Sequence, residues 1–175
     1  MRLFVLALAL ATVALPANAM LKAGDIAPDF TLQAALDGKP FTFSLAEARA
    51  KGPVVVYFYP KAFTQGCSIE AHDFAVAIDQ FHALGATVIG VSHDNIDTLD
   101  KFSVAVCASK FPVAADADGA VMTKWDTVLK EGYANRTSYV IAPDGHILYA
   151  FTDLNPDHHV ENTLKAISDW KAAQK

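Results

Sequence analysis

The feature that most limits what this chain can become is the apolar run Val54-Val55-Val56-Tyr57-Phe58. It leads through Tyr59-Pro60-Lys61-Ala62-Phe63-Thr64-Gln65-Gly66-Cys67 into a helical pattern from Ser68 to Leu84. β-Branched and aromatic residues without polar alternation specify a strand buried on both faces, and such a strand needs layers of structure above and below it. Cys67 then lies just past the carboxyl end of that strand, where open α/β sheets carry their sites. Cys67, Ala71, Phe74, Ile78 and Phe81 recur at helical spacing, so the thiol shares the apolar stripe. Thr64 is the expected N-cap, which sets the sulfur in the first turn, where free N–H groups and the helix dipole favour a thiolate. A cysteine on an apolar helix face is also commonly an inert core residue, and both readings stand at this point.

The start of the chain is of another kind. Arg2 precedes Leu3-Phe4-Val5-Leu6-Ala7-Leu8-Ala9-Leu10, further apolar residues to Leu15, and Pro16-Ala17-Asn18-Ala19. A basic start, a brief apolar core and an Ala-x-Ala end describe a secretory signal cleaved after Ala19, the run being short for spanning a bilayer. Residues 20–175 then form one domain, as 53% apolar and 19% charged content allow. Loss of Arg2 takes the formal net charge from −5 to −6, and without a basic patch or stripe nothing points to nucleic acid. The expectation is a periplasmic or secreted protein with no membrane association after cleavage. Export also permits a disulfide between Cys67 and Cys107.

Asp29 to Gln33 and Pro40 to Phe43 flank an Asp37-Gly38 turn, a hairpin for the sheet margin, and Ser44-Leu45-Ala46-Glu47 is a capping box opening a short helix. Ala86 to Ser92 is a second buried strand. Ile96 to Ala108 is a helix with Ile96, Leu99, Phe102 and Val106 inward and Cys107 at its end. A short strand at Phe111 to Ala115 and a turn of helix from Val121 to Trp125 follow. The alternation specifies a layered α/β domain with a mainly parallel sheet. Thr137 to Ile141 and His146 to Phe151 flank Pro143-Asp144-Gly145 as antiparallel strands, and a last helix from His158 to Ala172 turns Val160, Leu164, Ile167 and Trp170 inward. Parallel strands, then an antiparallel hairpin and a terminal helix, make a thioredoxin-like sandwich: a central mixed sheet with an N-terminal hairpin and flanking helices. If Thr137 to Ile141 runs antiparallel beside Val54 to Tyr59, Arg136 comes close to Cys67; otherwise Arg136 is an exposed loop charge.

Pro60, Thr64 and Cys67 fit Pro-x-x-x-Thr-x-x-Cys, the signature of peroxiredoxins, the AhpC/TSA superfamily. Together with Gly24-Asp25-Ile26-Ala27-Pro28-Asp29-Phe30 and Arg136-Thr137-Ser138-Tyr139-Val140-Ile141, the chain resembles the branch called bacterioferritin comigratory protein or peroxiredoxin Q. The resemblance implies a thiol-dependent peroxidase acting on hydrogen peroxide and organic hydroperoxides without a cofactor or metal. It makes Cys67 the peroxidatic cysteine, Thr64 and Arg136 its activating partners, and Pro60 a shield for the pocket. A monomer reduced by a thioredoxin-like or other thiol donor is implied in the same way.

A free cysteine of pKa near 8.5 is about 3% thiolate at pH 7, so full ionisation supplies roughly 30-fold, or about 2 kcal/mol. Positioning of the peroxide by the Arg136 guanidinium, the Thr64 hydroxyl and backbone N–H groups near Gly66 and Cys67 must supply the rest. Glu70 either orients Arg136 by an ion pair or is a solvated helix position.

Attack leaves Cys67 as a sulfenic acid that condenses with a second thiol. In a common family arrangement that thiol sits five residues on, which here is His72, so Cys107, 40 positions further on, is the expected resolving cysteine. The two Cα atoms must come within about 7 Å, which calls for unwinding near Thr64 to Ser68 or around Cys107. The alternatives are a permanent structural disulfide, worth roughly 4 kcal/mol, or a Cys107 that is only a core residue while an outside thiol resolves.

Cys-x-x-Cys is absent, since Glu70 stands three beyond Cys67, which excludes the simplest disulfide reductase. A different class is a periplasmic copper-binding or delivery module using Cys67, His72, His93 or His158-His159, although these histidines, with His82 and His146, read more simply as exposed. Phe63, Trp125 and Phe151 are candidates either for an apolar substrate pocket or for the core.

Overall fold

A computed structural model describes residues 20–129 and 131–174, so the expected signal lies outside the described residues. Strands β1 (Thr31–Leu36) and β2 (Lys39–Ser44) form the expected hairpin. Asp37 and Gly38 both take positive φ, 54° and 67°, as a two-residue turn between right-twisted strands requires. The Ser44 hydroxyl accepts from Glu47 N at 3.3 Å and caps α1 (Leu45–Arg49). The central strand β3 (Val54–Phe58) is buried along its whole length, and α2 (Gln65–Ala83) follows, starting three residues before the expected Ser68.

Next come β4 (Thr87–Ser92), α3 (Ile96–Ala105), β5 (Val113–Ala115), α4 (Ala120–Lys124), β6 (Thr137–Ile141), β7 (Ile147–Thr152) and α5 (His159–Ala172). All seven strands join one sheet in the order β2-β1-β5-β4-β3-β6-β7. Only β3–β4 and β4–β5 pair in parallel, so the sheet is mixed rather than mainly parallel: both terminal hairpins add antiparallel strands outside a three-strand parallel centre. With its flanking helices it is the thioredoxin-like sandwich.

Alternation along β3 divides the core. Val54, Val56 and Phe58 face α1 and α4 with Leu45, Met122, Trp125 and Tyr139. Val55, Tyr57 and Tyr59 face α2, α3 and α5 with Cys67, Phe74, Phe81, Phe102, Cys107 and Ile167. Both cysteines therefore share one layer. Trp125 is buried in the other, so of the three aromatics considered for a substrate pocket it is excluded by the sheet itself.

The last helix turns Ile167 inward as expected, with Val160 and Leu164 packed at the core's margin, but its most buried positions include two polar residues that were not expected there. Its fully buried residues are His159, Thr163 and Ile167, whereas Val160, Leu164 and Trp170 are only half-buried. The positions 159, 163 and 167 are a helical repeat of four, and polar His159 and Thr163 disguise it in the sequence.

Tyr57 stacks on Phe74 with centroids 4.5 Å apart and on Tyr59 at 5.4 Å, and its ring lies over Gly90, its partner on β4. A Cβ at Gly90 would stand 2.7 Å from the Tyr57 ring and hydroxyl, too close for any side chain. Gly90→Ala forces the whole stack to shift in a closely packed layer, and is expected to cost about 1–3 kcal/mol in the urea unfolding free energy.

Candidate active site

Antiparallel pairing of β3 with β6 sets Phe58 opposite Thr137, so the chain leaves β3 toward Cys67 where it enters β6 from Arg136. Of the two alternatives the sequence left open, antiparallel pairing with Arg136 beside Cys67 is the one observed. Cys67 is the third residue of α2 and is 2% exposed, on a stripe whose other members, Ala71, Phe74, Ile78 and Phe81, are all buried. The loop before it is tied to the sheet: Tyr59 N donates to Val91 O at 3.1 Å, and Ala62 N to Asp94 Oδ2 at 2.7 Å. The Ser92 hydroxyl donates to the same Asp94 oxygen at 2.9 Å. Asp94 is thus a loop anchor that its place in a turn did not advertise.

Arg136 is 4% exposed, a buried cation with all three nitrogens engaged. Its Nη2 donates to Cys67 Sγ at 3.5 Å, Nε to Leu154 O at 2.9 Å, and Nη1 to Glu70 Oε2. Glu70 is fully buried one helical turn beyond Cys67, so the ion-pair alternative holds and the solvated one fails. Gly66 lets the guanidinium approach the helix start: a Cβ there would lie 3.1 Å from Arg136 Nη2. Burial opposes the Arg136 charge, but the facing Glu70 carboxylate and Cys67 outweigh it and raise the guanidinium above its ordinary value. Burial likewise pushes the Glu70 carboxyl up to about 8 against the pull of Arg136.

His159 was expected on the surface and is instead fully buried. Its Nε2 is 3.0 Å from Asp153 O, its Nδ1 is 2.8 Å from Ser138 Oγ and 3.5 Å from Glu70 Oε1, and its ring meets Phe151 at 4.8 Å. Burial lowers its pKa, Arg136 adds to that, and the Asp153 carbonyl opposes it. Leu154 and His159 carry no motif; only the fold brings them to the site.

Thr64 is exposed and stands at the N-cap with extended backbone, but its side chain makes no cap bond. The hydroxyl donates to Lys61 O at 2.9 Å. Pro60 is half-buried at the end of β3, and Phe63 next to Thr64 is 50% exposed, with φ of +62° and its ring edge-on to Phe102 at 5.1 Å.

Cys107 does not belong to this cluster of bonds. It lies just past α3, which ends at Ala105 rather than Ala108, because Ala108 and Ser109 take φ of 50° and 58°. Its thiol is buried and pushed up to about 12 by that burial. Both cysteines are free and buried in this structure. Tyr57 and Tyr59 lie within electrostatic reach of both sulfurs, and their phenols are raised well above the ordinary value, chiefly by burial.

The donors considered for copper are not gathered. Among the described residues no group of three or more His, Cys, Asp or Glu could hold a metal ion. His72 is exposed on α2, His93 Nδ1 lies 3.0 Å from Asp116 O, and His158 pairs with Glu161.

The chain is similar to known proteins over most of its length. Peroxiredoxin Bcp of Escherichia coli is 30% identical over 156 residues, covering 85% of this chain and 97% of the relative. Peroxiredoxin Bcp of Xanthomonas campestris is 29% identical over 151 residues, covering 81% and 91%. Among solved structures, peroxidoxin BcpB from Mycobacterium tuberculosis superimposes with a TM-score of 0.77 at 28% identity, covering 85% of this chain and 97% of that one. The AhpC/TSA family model matches residues 23–150, the span that holds the buried thiol and the guanidinium facing it, and the chain belongs to the AhpC/TSA family.

Proposed function

We propose that this chain is a thiol-dependent peroxidase in which Cys67 attacks hydrogen peroxide and organic hydroperoxides, and that Cys107 resolves the product. The observation that carries the reading is the Arg136 guanidinium within 3.5 Å of Cys67 Sγ at a helix start. The thiolate is the attacking form of a cysteine, and here the sulfur faces the guanidinium from the first turn of α2. The sulfur attacks one peroxide oxygen, the O–O bond breaks, and the departing oxyanion takes up a proton to leave as water or an alcohol. Sulfur is oxidised by two electrons to the sulfenic acid and the peroxide is reduced by two. Arg136 holds both oxygens in this reading as charge moves between them, and the exposed Thr64 three residues before Cys67 turns its hydroxyl from the Lys61 carbonyl to the attacked oxygen.

In the second step the Cys107 sulfur attacks the sulfenic sulfur, water departs, and an intramolecular disulfide remains. A buried thiol raised to about 12 is a poor nucleophile, so this step follows an opening that brings Cys107 into water. A dithiol donor of the thioredoxin type then restores both thiols, acting on a monomer. The apolar start of the sequence supports export with cleavage after Ala19. Intact-mass measurement of protein recovered from the periplasm is expected to show a chain beginning at Met20; an intact Met1 in the cytoplasm would overturn export.

The first test follows peroxide consumption with sulfenic-acid trapping. Cys67→Ser is expected to abolish consumption, whereas Cys107→Ser completes one turnover and accumulates a trapped sulfenate. Unchanged consumption by Cys67→Ser would remove the proposal, and sustained turnover of Cys107→Ser with a dithiol donor would transfer resolution to an outside thiol.

The burial of Cys107 also predicts a pH effect. Because its folded pKa is above that of the unfolded chain, folding retains a proton that unfolding releases. Its stabilising contribution is whole below about pH 9 and is lost as the pH rises toward 12. Under reducing conditions, the urea stability advantage of wild type over Cys107→Ala is expected to narrow by about 1.4 kcal/mol for each pH unit above about 9.

A further inference from the structure

Behind the guanidinium stands an incompletely bonded carboxylate. Glu70 Oε2 accepts from Arg136 Nη1, but the second oxygen, Oε1, is buried with no hydrogen-bond partner. Such an orphan acceptor is costly if it stays charged and bare, because the water it lost on burial is not replaced. His159 Nδ1 lies 3.5 Å from it.

The imidazole's own bonds define its tautomer. Nε2 faces the Asp153 carbonyl at 3.0 Å, and a carbonyl only accepts, so Nε2 carries a hydrogen. In a neutral ring Nδ1 is then bare and accepts from the Ser138 hydroxyl at 2.8 Å, which leaves it presenting a lone pair to the lone pairs of Glu70 Oε1. One additional proton between Nδ1 and Oε1 removes this conflict, whether it resides on the carboxyl or on the ring.

The charges lead to the same arrangement. Thiolate, guanidinium and carboxylate with a neutral imidazole sum to one buried negative charge, and a single added proton makes the cluster neutral. We propose that His159 is a positioning residue for peroxide reduction, holding with Glu70 one shared proton behind Arg136 so that the guanidinium charge is left to the Cys67 sulfur and the peroxide. The proposal rests on the peroxidase reading above.

The surroundings suit this role. From α2 the pair is faced by Glu70, with Asp73 adding a negative charge near it; from β6 and its entry by Ser138 and Arg136; from the segment after β7 by Asp153; and from β7 by the apolar ring of Phe151. On α5 itself Thr163 donates to the His159 backbone carbonyl, away from the ring. A carboxyl raised to about 8 beside an imidazole lowered below its usual value is the condition in which two groups compete for one proton. Oxidation of the thiolate to a neutral sulfenic acid removes the negative charge this proton balances, so the pair releases it as the departing oxyanion takes one up.

The test is the pH profile of the second-order rate of Cys67 oxidation by hydrogen peroxide. Wild type is expected to show a rise with thiolate formation and then a fall at alkaline pH, where the shared proton is lost. His159→Gln keeps a donor toward the Asp153 carbonyl but has no titrating nitrogen. It is expected to move the alkaline limb down by one pH unit or more, with about a tenfold lower rate at pH 8. Glu70→Gln, a permanently neutral side chain, is expected to abolish that limb, and adding His159→Gln to it to change the profile no further.

A His159→Gln profile that keeps the wild-type midpoints and is only scaled down would reduce His159 to a structural residue and overturn the proposal, as would multiplicative effects in the double variant. If His159→Gln does not fold, the C2–H proton resonance of His159 decides: its midpoint is expected to fall in Cys67→Ser, and an identical midpoint overturns the idea. Loss of peroxide consumption in Cys67→Ser together with an unchanged His159→Gln profile rejects only this inference. Equal consumption by wild type and Cys67→Ser rejects the peroxidase reading itself.

Discussion

The arrangement depends on one buried guanidinium. Arg136 has almost no contact with water, and a cation in that position is tolerated only when every donor is matched and the charge is balanced nearby. The Glu70 carboxyl takes Nη1, the Leu154 carbonyl takes Nε, and the third nitrogen is turned on Cys67. The same three contacts that make the arginine tolerable thus fix its orientation toward the sulfur. Arginine's planar fork can serve three directions at once, which a lysine ammonium on a flexible stem would do with less fixed geometry.

That guanidinium is aimed by the sheet. Arg136 stands one residue before β6, whose first residue pairs with the last of β3, and Cys67 begins the helix that leaves the same end of β3. Register errors in a strand buried on both faces would exchange the two core layers, so the register is strongly determined and Arg136 is placed with it. Gly66 then matters for what it lacks, since a Cβ there would press on the arginine.

Much of this was legible in the sequence because it follows from periodicity. The apolar run at Val54, the stripe through Cys67 and the Asp37-Gly38 turn each express a local rule, as does the turn at Pro143-Asp144-Gly145 between β6 and β7, whereas the β3–β6 pairing that brings Arg136 to Cys67 is non-local and could be posed from the sequence only as a condition. What was not legible arises where polar residues occupy core positions. His159 and Thr163 have the burial of an apolar face and the composition of a wet one, so the expected inward face of α5 contains Val160, Leu164 and Ile167 but not these two. The choice between solvated and paired Glu70 likewise could not be made locally, because its partner is 66 positions away. The side chain of Thr64 was misread as a cap since the same residue types serve caps and local turn bonds; here the Lys61 carbonyl takes its hydroxyl.

The two cysteines show how a packed core constrains the chemistry proposed for it. Each is buried in the same layer against Tyr57 and Tyr59, and each adjoins backbone held in a left-handed conformation: Phe63 before Cys67, and Ala108 and Ser109 after Cys107. Non-glycine residues in that region cost of order 1–3 kcal/mol each and persist only because their surroundings enforce them. Phe63 is kept there by its edge contact with Phe102, and Ser109 by its hydroxyl bond to Asp37 at 2.7 Å. Breaking either contact releases local strain and so returns part of the cost of opening. The segments that must move for a Cys67–Cys107 disulfide are therefore those the fold holds least comfortably, while α2 beyond Ser68 stays anchored through Phe74, Ile78 and Phe81. In the proposed reaction the attacking thiolate faces the guanidinium, and its oxidation to a neutral sulfenic acid would remove that negative charge. Loss of that charge would weaken the contact holding the helix start to β6 at the step in which the proposed disulfide requires the two to separate.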